Sequence, residues 1–315
     1  MDQNIIDYLS LKIEESILPL IDCDYVFLDL PYHPNVGDTL IAMAAKLLLS
    51  RSGHRCLYYS SEFTFDHRDI SEETLIIFNG GGNFGDLWRN YSVFRNMVLK
   101  KYPKNHYLIM PQSVYYQDTN NLCNDIQLYS SLGSRITICA RDEKSYVFLK
   151  THFTNNTILL VPDLAFYTEK SFFVSQTGNN RILFLKRNDS EFISHSKYDI
   201  VPEKAEIHDW PTLEKYWWIQ NKYTRIKKLT HKDWYPNFLL HFEDRIWQKY
   251  ILPYNLRSGI RFVNQYDIIY TTRLHVAILG ALLDKKVYFF DNSYGKNSSL
   301  YNTWLKDCPN IELID

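Results

Sequence analysis

The chain has 315 residues, with 35 Lys plus Arg against 36 Asp plus Glu and a formal net charge of −1 at pH 7. It is 45% hydrophobic and 23% charged, the composition of a globular protein of about two domains. A balance this close to neutral excludes a nucleic-acid binder driven by bulk positive potential.

The N-terminal stretch MDQNIIDYLSLKIEES is acidic and amphipathic, so no signal peptide is expected. Residues 25–30 (YVFLDL) read as a buried strand, 31–38 as a loop and 39–54 as a helix, with Asp38 as a candidate cap. A second strand follows in RCLYYS, and a third in 74–82 (TLIIFNGGG) runs into a glycine loop. Strands are then expected within 107–113, 135–142 and 157–166, with helices over 86–101 and 142–152. Continuous apolar runs mark strands covered on both faces, and their alternation with helices implies a parallel, doubly wound sheet. The polar stretch 167–180 breaks this rhythm, which divides the chain into domains 1–175 and 176–315. Strands resume at 181–189, 267–272 and 286–291, with a helix over 273–284, so the second half also reads as α/β.

Segment 204–261 is different: 11 Lys and Arg face 6 Asp and Glu, and it holds 5 of the 7 Trp. Most of these Trp are expected to be packed. The sharper reading lets Trp210, Trp217, Trp218, Trp234 and Trp247, with Lys222, Arg225, Lys227, Lys228 and Lys232, meet a sugar acceptor or an anionic membrane surface. No apolar run reaches the length of a membrane span. Cys23, Cys56, Cys123, Cys139 and Cys308 are scattered, with no CxxC or zinc spacing, so a reduced cytoplasmic protein is expected.

Several polar groups follow strand ends, where open α/β sheets bind ligands. Asn79-Gly80-Gly81-Gly82-Asn83 permits close backbone approach to a ligand, or a tight turn. Asn35, Gly37 and Asp38 form a substrate loop or a helix cap. Thr271-Thr272-Arg273-Leu274-His275 sits where a strand enters a helix, a place receptive to anions. Arg273 supplies a planar donor fork, and His275 suits a general acid; a capping Arg and a packed His are the plainer alternative. Arg141 is a second candidate anion clamp or a salt-bridge partner. Lys186, Arg187 and Lys296 are further candidate anion contacts, and Asp163 a cap or an orienter of Arg141.

The stretches NVGD (35–38), FNGGGNFGD (78–86), PQS (111–113), ARDEKSY (140–146), PDLAF (162–166), TTRLHVAILGALL (271–283) and DNSYGKNSS (291–299) resemble the polysaccharide pyruvyltransferase family. The resemblance implies a glycosyltransferase-B-like fold of two Rossmann-like domains facing a cleft. It implies phosphoenolpyruvate as donor substrate, no cofactor or metal, and a glycan or lipid-linked sugar as acceptor for a pyruvate ketal. It places Arg273, His275 and Arg141 at the donor site. A nucleotide-sugar transferase of the same fold and a non-catalytic glycan-binding relative are the competing readings.

Overall fold

A computed structural model describes residues 3–176, 178, 180–187, 196–213 and 237–314. The first sheet has seven strands: β1 (Tyr25–Leu28), β2 (Cys56–Tyr59), β3 (Leu75–Phe78), β4 (Gly81–Gly85), β5 (Tyr107–Tyr115), β6 (Ile136–Ala140) and β7 (Thr157–Leu160). Their order is β2-β1-β3-β5-β6-β7, with β4 added on β5, and every pairing is parallel. The second sheet holds β8 (Ile182–Leu185), β9 (Glu206–His208), β10 (Ile268–Thr271), β11 (Lys286–Phe290) and β12 (Ile311–Ile314), in the order β12-β11-β10-β8-β9, also parallel. The expected α/β class with parallel sheets is therefore present. β1, β3 and β8 are buried at every position, which is why their sequences are continuously apolar.

The strand order reverses between β1 and β3 in the first sheet and between β8 and β10 in the second. Such switch points open a crevice at the strands' carboxyl ends. Asp29 and Asn79 follow β1 and β3, and Lys186 and Thr272 follow β8 and β10.

The helix expected from 39 begins three residues earlier, at Val36–Leu49. Asn35, not Asp38, is its cap: the Asn35 Oδ1 accepts the Gly37 N–H at 3.0 Å, and Asp38 lies within the first turn. The glycine run is likewise not only a loop, because Gly81–Gly85 pairs with β5; the helix expected from 86 accordingly starts at Arg89. Trp210 and Trp247 are buried, while Trp217, Trp218 and Trp234 lie outside the described residues.

The two halves are joined by a helical run, Asn237–Ile246 and Leu252–Val263, interrupted by a π turn at Trp247–Ile251. Trp247 stacks on Tyr32 at 4.9 Å, and Asp244 accepts hydrogen bonds from Tyr32 at 2.7 Å and Thr64 at 2.6 Å. Gly259 packs against Val36, where an added Cβ would lie 2.3 Å from the valine Cγ1. Gly259→Ala should therefore force these helices apart and destabilise the protein by about 1–3 kcal/mol. Chemical denaturation of both proteins checks this, and an unchanged midpoint would contradict the close approach.

Candidate active site

Arg141 follows β6 and is 1% exposed. Its Nη1 donates to Asp163 Oδ2 at 2.7 Å and its Nε to Ser113 Oγ at 2.8 Å. Ser113, on β5, donates in turn to Asp142 Oδ2 at 2.6 Å. Asp142 also caps the helix Glu143–His152 through the Ser145 N–H and accepts from Ser299 Oγ at 3.0 Å. The Trp304 indole donates to the Arg141 carbonyl at 2.8 Å. The guanidinium is thus fixed on several sides, as a buried cation must be.

His275 lies in the first turn of the helix Leu274–Leu282 and reaches this pair from the second sheet. Its Nε2 is 3.4 Å from Asp163 Oδ2 and 3.5 Å from Arg141 Nη1, with the side chain 12% exposed. Burial opposes ionisation of Asp163, but Arg141 and His275 outweigh it and hold the carboxyl far below its ordinary range. Asp163 is both things the sequence suggested: it orients Arg141 and caps a short 3₁₀ turn through the Ala165 N–H. The imidazole rests on Gly37, where an added Cβ would come within 2.4 Å of Nδ1.

Arg273 occupies the helix cap with extended backbone. Its guanidinium grips Asp209 side-on, Nε to Oδ1 at 2.6 Å and Nη2 to Oδ2 at 2.7 Å. Arg273 and His275 therefore have different partners, one beside strand β9 and one on the first sheet. Asp209 had no local signal in the sequence, because its partner is 64 residues away.

The glycine stretch forms the floor beside Arg141. A Cβ on Gly82 would lie 3.0 Å from Arg141 Nη2 and 3.6 Å from Lys296 Nζ, which brings these two cations to one glycine. Gly81 has φ +144°, a glycine conformation, and its Cβ position faces Asp38 Oδ1 at 3.8 Å. Asp38 is held by Asn35 Nδ2 at 2.8 Å and lies 3.6 Å from His33. Gly80 has no room for a Cβ, which would stand 2.9 Å from the Pro111 carbonyl. Asn79 is buried and its carbonyl accepts from Gln112 at 2.7 Å. Asn83 accepts twice from Arg95, whose Nη1 also donates to Asp29 at 2.8 Å. Burial pushes the Asp29 carboxyl up to about 7 against the pull of Arg95. Arg95 and Asp29 were not singled out from the sequence.

Lys186 sits over the Tyr198 and Phe184 rings, 5.0 and 5.9 Å from their centroids, on the aromatic face of the second sheet. Arg187 is buried, and its backbone N–H donates to Thr272 Oγ1 at 3.1 Å. These contacts gather Arg141, Lys296, His275, Gly37, Gly82 and Asp163, with Asp38 across Gly81. Lys186 lies instead against the Tyr198 and Phe184 rings.

The family model described as polysaccharide pyruvyl transferase matches residues 35–294. The chain is 30% identical over 299 residues to EpsO of Bacillus subtilis, provisionally named a pyruvyl transferase, covering 92% of this chain and 88% of that protein. It is 28% identical over 296 residues to Pyruvyl transferase 1 of Schizosaccharomyces pombe, covering 88% and 69%. A solved structure of an uncharacterized Klebsiella pneumoniae protein shares the fold, with a TM-score of 0.67 at 22% identity over 98% of each chain.

Removing Asp163 strands Arg141 in the interior. Asp163→Asn should cost about 3–5 kcal/mol of stability at neutral pH. The native carboxyl titrates below its unfolded value of 3.8, so its contribution is complete above that pH and is lost as pH falls below it. Denaturation midpoints followed into acid should therefore converge for the two proteins, and a constant gap would refute the ionised pair.

Proposed function

The chain belongs to the polysaccharide pyruvyl transferase family, and we propose that it moves the pyruvyl group of phosphoenolpyruvate onto two hydroxyls of one sugar, as a ketal. The observation that carries this reading is the meeting of Arg141, His275 and Lys296 at the glycine floor. Phosphoenolpyruvate bears a phosphate and a carboxylate on three carbons and needs clustered cationic donors. Two Rossmann-like domains in a glycosyltransferase-B-like arrangement, divided near 175, would face their crevices across this cluster.

The reaction begins with a proton delivered to the methylene carbon. His275 is the proposed donor, since it is a titratable group held between the two sheets. C2 then carries oxocarbenium character, and one sugar hydroxyl attacks it. The C2–O bond to phosphate breaks, and a second hydroxyl of the same sugar closes the ring. Of the two hydroxyl protons, one balances the proton spent on the methylene and the other leaves on phosphate. Asp38 is the proposed acceptor-side base. Asp86 is a weaker choice because both its oxygens accept backbone N–H groups, from Gln117 and Asp118. Asp163 is already committed to Arg141 and His275. The acceptor is a sugar of a surface or exported polysaccharide, or its lipid-linked precursor.

Released phosphate and product mass, measured over a panel of sugar acceptors with phosphoenolpyruvate, test the proposal directly. Protection by a nucleotide instead of phosphoenolpyruvate would favour a nucleotide-sugar transferase. His275→Gln should lower turnover about 10²–10⁴-fold while donor binding persists. Gly37→Ala should also lower turnover, because its methyl displaces the imidazole; turnover at the wild-type level in both would remove His275 from the proton step. Arg273→Ala should weaken donor binding by about 1.5–3 kcal/mol. Arg273→Lys should restore part of it, since charge remains but the side-on grip on Asp209 is gone. Titration calorimetry with phosphoenolpyruvate reads both, and wild-type affinity in a folded Arg273→Ala protein would refute the role.

A further inference from the structure

The helical run 237–263 turns one face inward and one to water. Leu240, Asp244, Trp247, Leu252, Leu256 and Ile260 are buried against the rest of the molecule. On the outer face Phe238 is 69% exposed, Phe242 60%, Tyr250 60% and Tyr254 51%. Arg245, Lys249, Arg257 and Arg261 are exposed between and beyond them. No exposed residue of this run is acidic: Asp244 is buried and Glu243 half-buried.

The π turn makes this a single stripe. Residues 238, 242, 245 and 249 follow helical spacing, as do 250, 254, 257 and 261. A regular helix would rotate the second set away from the first. The wider turn at Trp247–Ile251 absorbs the extra residue, so the exposed positions continue along one side for about 35 Å, at about 1.5 Å per residue.

Four large aromatics in the open are unusual for a surface with nothing to meet. Their mixture with cations, and the absence of carboxylates, narrows what they meet. Phe and Tyr rings suit the headgroup level of a bilayer, and Arg and Lys suit anionic headgroups. We propose that the outer face of residues 237–263 docks this protein, peripherally, on an anionic lipid bilayer. The charge complementarity of a wholly cationic and aromatic face carries the choice of a lipid surface. The helix does not insert across the bilayer, because among the described residues no helix is long and apolar enough to do so. It is also anchored from behind by the Tyr32–Trp247 stack and by Gly259 on Val36. Docking would therefore fix the helix Val36–Leu49, and with it Gly37 and Asp38, relative to the membrane plane.

The test is co-sedimentation of the full chain with phosphatidylcholine vesicles, and with vesicles that also contain phosphatidylglycerol, at low and high salt. It needs neither donor nor acceptor, so it stands apart from the reading of the active site. Binding is expected only with the anionic vesicles and should weaken with salt. Arg245→Gln with Lys249→Gln should weaken it about 20–30-fold, at about fivefold per cation. Phe238→Ser with Phe242→Ser should weaken it too, and thermal melting of each variant establishes that it is folded. Failure to bind anionic vesicles overturns the proposal, as does binding unchanged in both folded variants. So does loss confined to Lys227→Glu with Lys228→Glu, which lie outside the described residues. A self-associated species in sedimentation velocity that the Phe variant dissolves, without vesicle binding, would assign the face to a second copy of the chain.

Discussion

The buried ion pair between Arg141 and Asp163 is the constraint around which the meeting of the two sheets is organised. Both side chains are 1% exposed, so each charge has lost its water and must be met by the other. Desolvation makes the pair intolerant of loss. The surroundings respond accordingly: Ser113, Asp142, Ser299 and Trp304 hold the guanidinium or the residues beside it. One carboxylate then meets side chains from two sheets, since Asp163 faces both Arg141 and His275. The imidazole is located by electrostatics on one side and by the bare backbone of Gly37 on the other.

A second buried pair, Asp29–Arg95, stands under the glycine floor. Its two side chains are almost fully buried, and Arg95 also donates to Asn83 and to Ser92. Asp29 adopts φ +66°, an uncommon conformation for a side-chain-bearing residue, directly after β1. The first switch point therefore holds backbone strain and a desolvated carboxylate together, while its partner cation fixes the loop above. The floor gains its shape from below, with glycines left free to present bare backbone upward.

Much of this was legible in the chain. Four-residue apolar runs such as Leu75–Phe78 can be buried only between two layers, so the parallel sheets followed from periodicity. The candidate site was legible where function and backbone share a short stretch, as in the glycine run and at Arg273 to His275. The misread boundaries have a local cause. Asn35 and Asp38 are both good caps three residues apart, and composition alone does not decide which accepts the Gly37 N–H. Glycines read as a loop because they lack side chains for a strand, yet Gly81–Gly85 is held by β5. Asp209 and Arg95 were illegible for another reason. A lone Asp and a lone Arg in a helix acquire meaning only from partners that tertiary packing delivers.

The indole of Trp304 meets the Arg141 carbonyl across 163 residues, and Asp244 meets Tyr32 across 212. Contacts of such separation close late, because the chain between them must first be ordered. A nascent chain that has already released all seven strands of the first sheet still lacks His275, Lys296 and Trp304. Its Arg141 is then an arginine at the edge of an incomplete fold, without the partners that shape it. Assembly of the cluster is thus deferred until the second sheet has been made, and a polypeptide terminated before it carries the first sheet without the cluster.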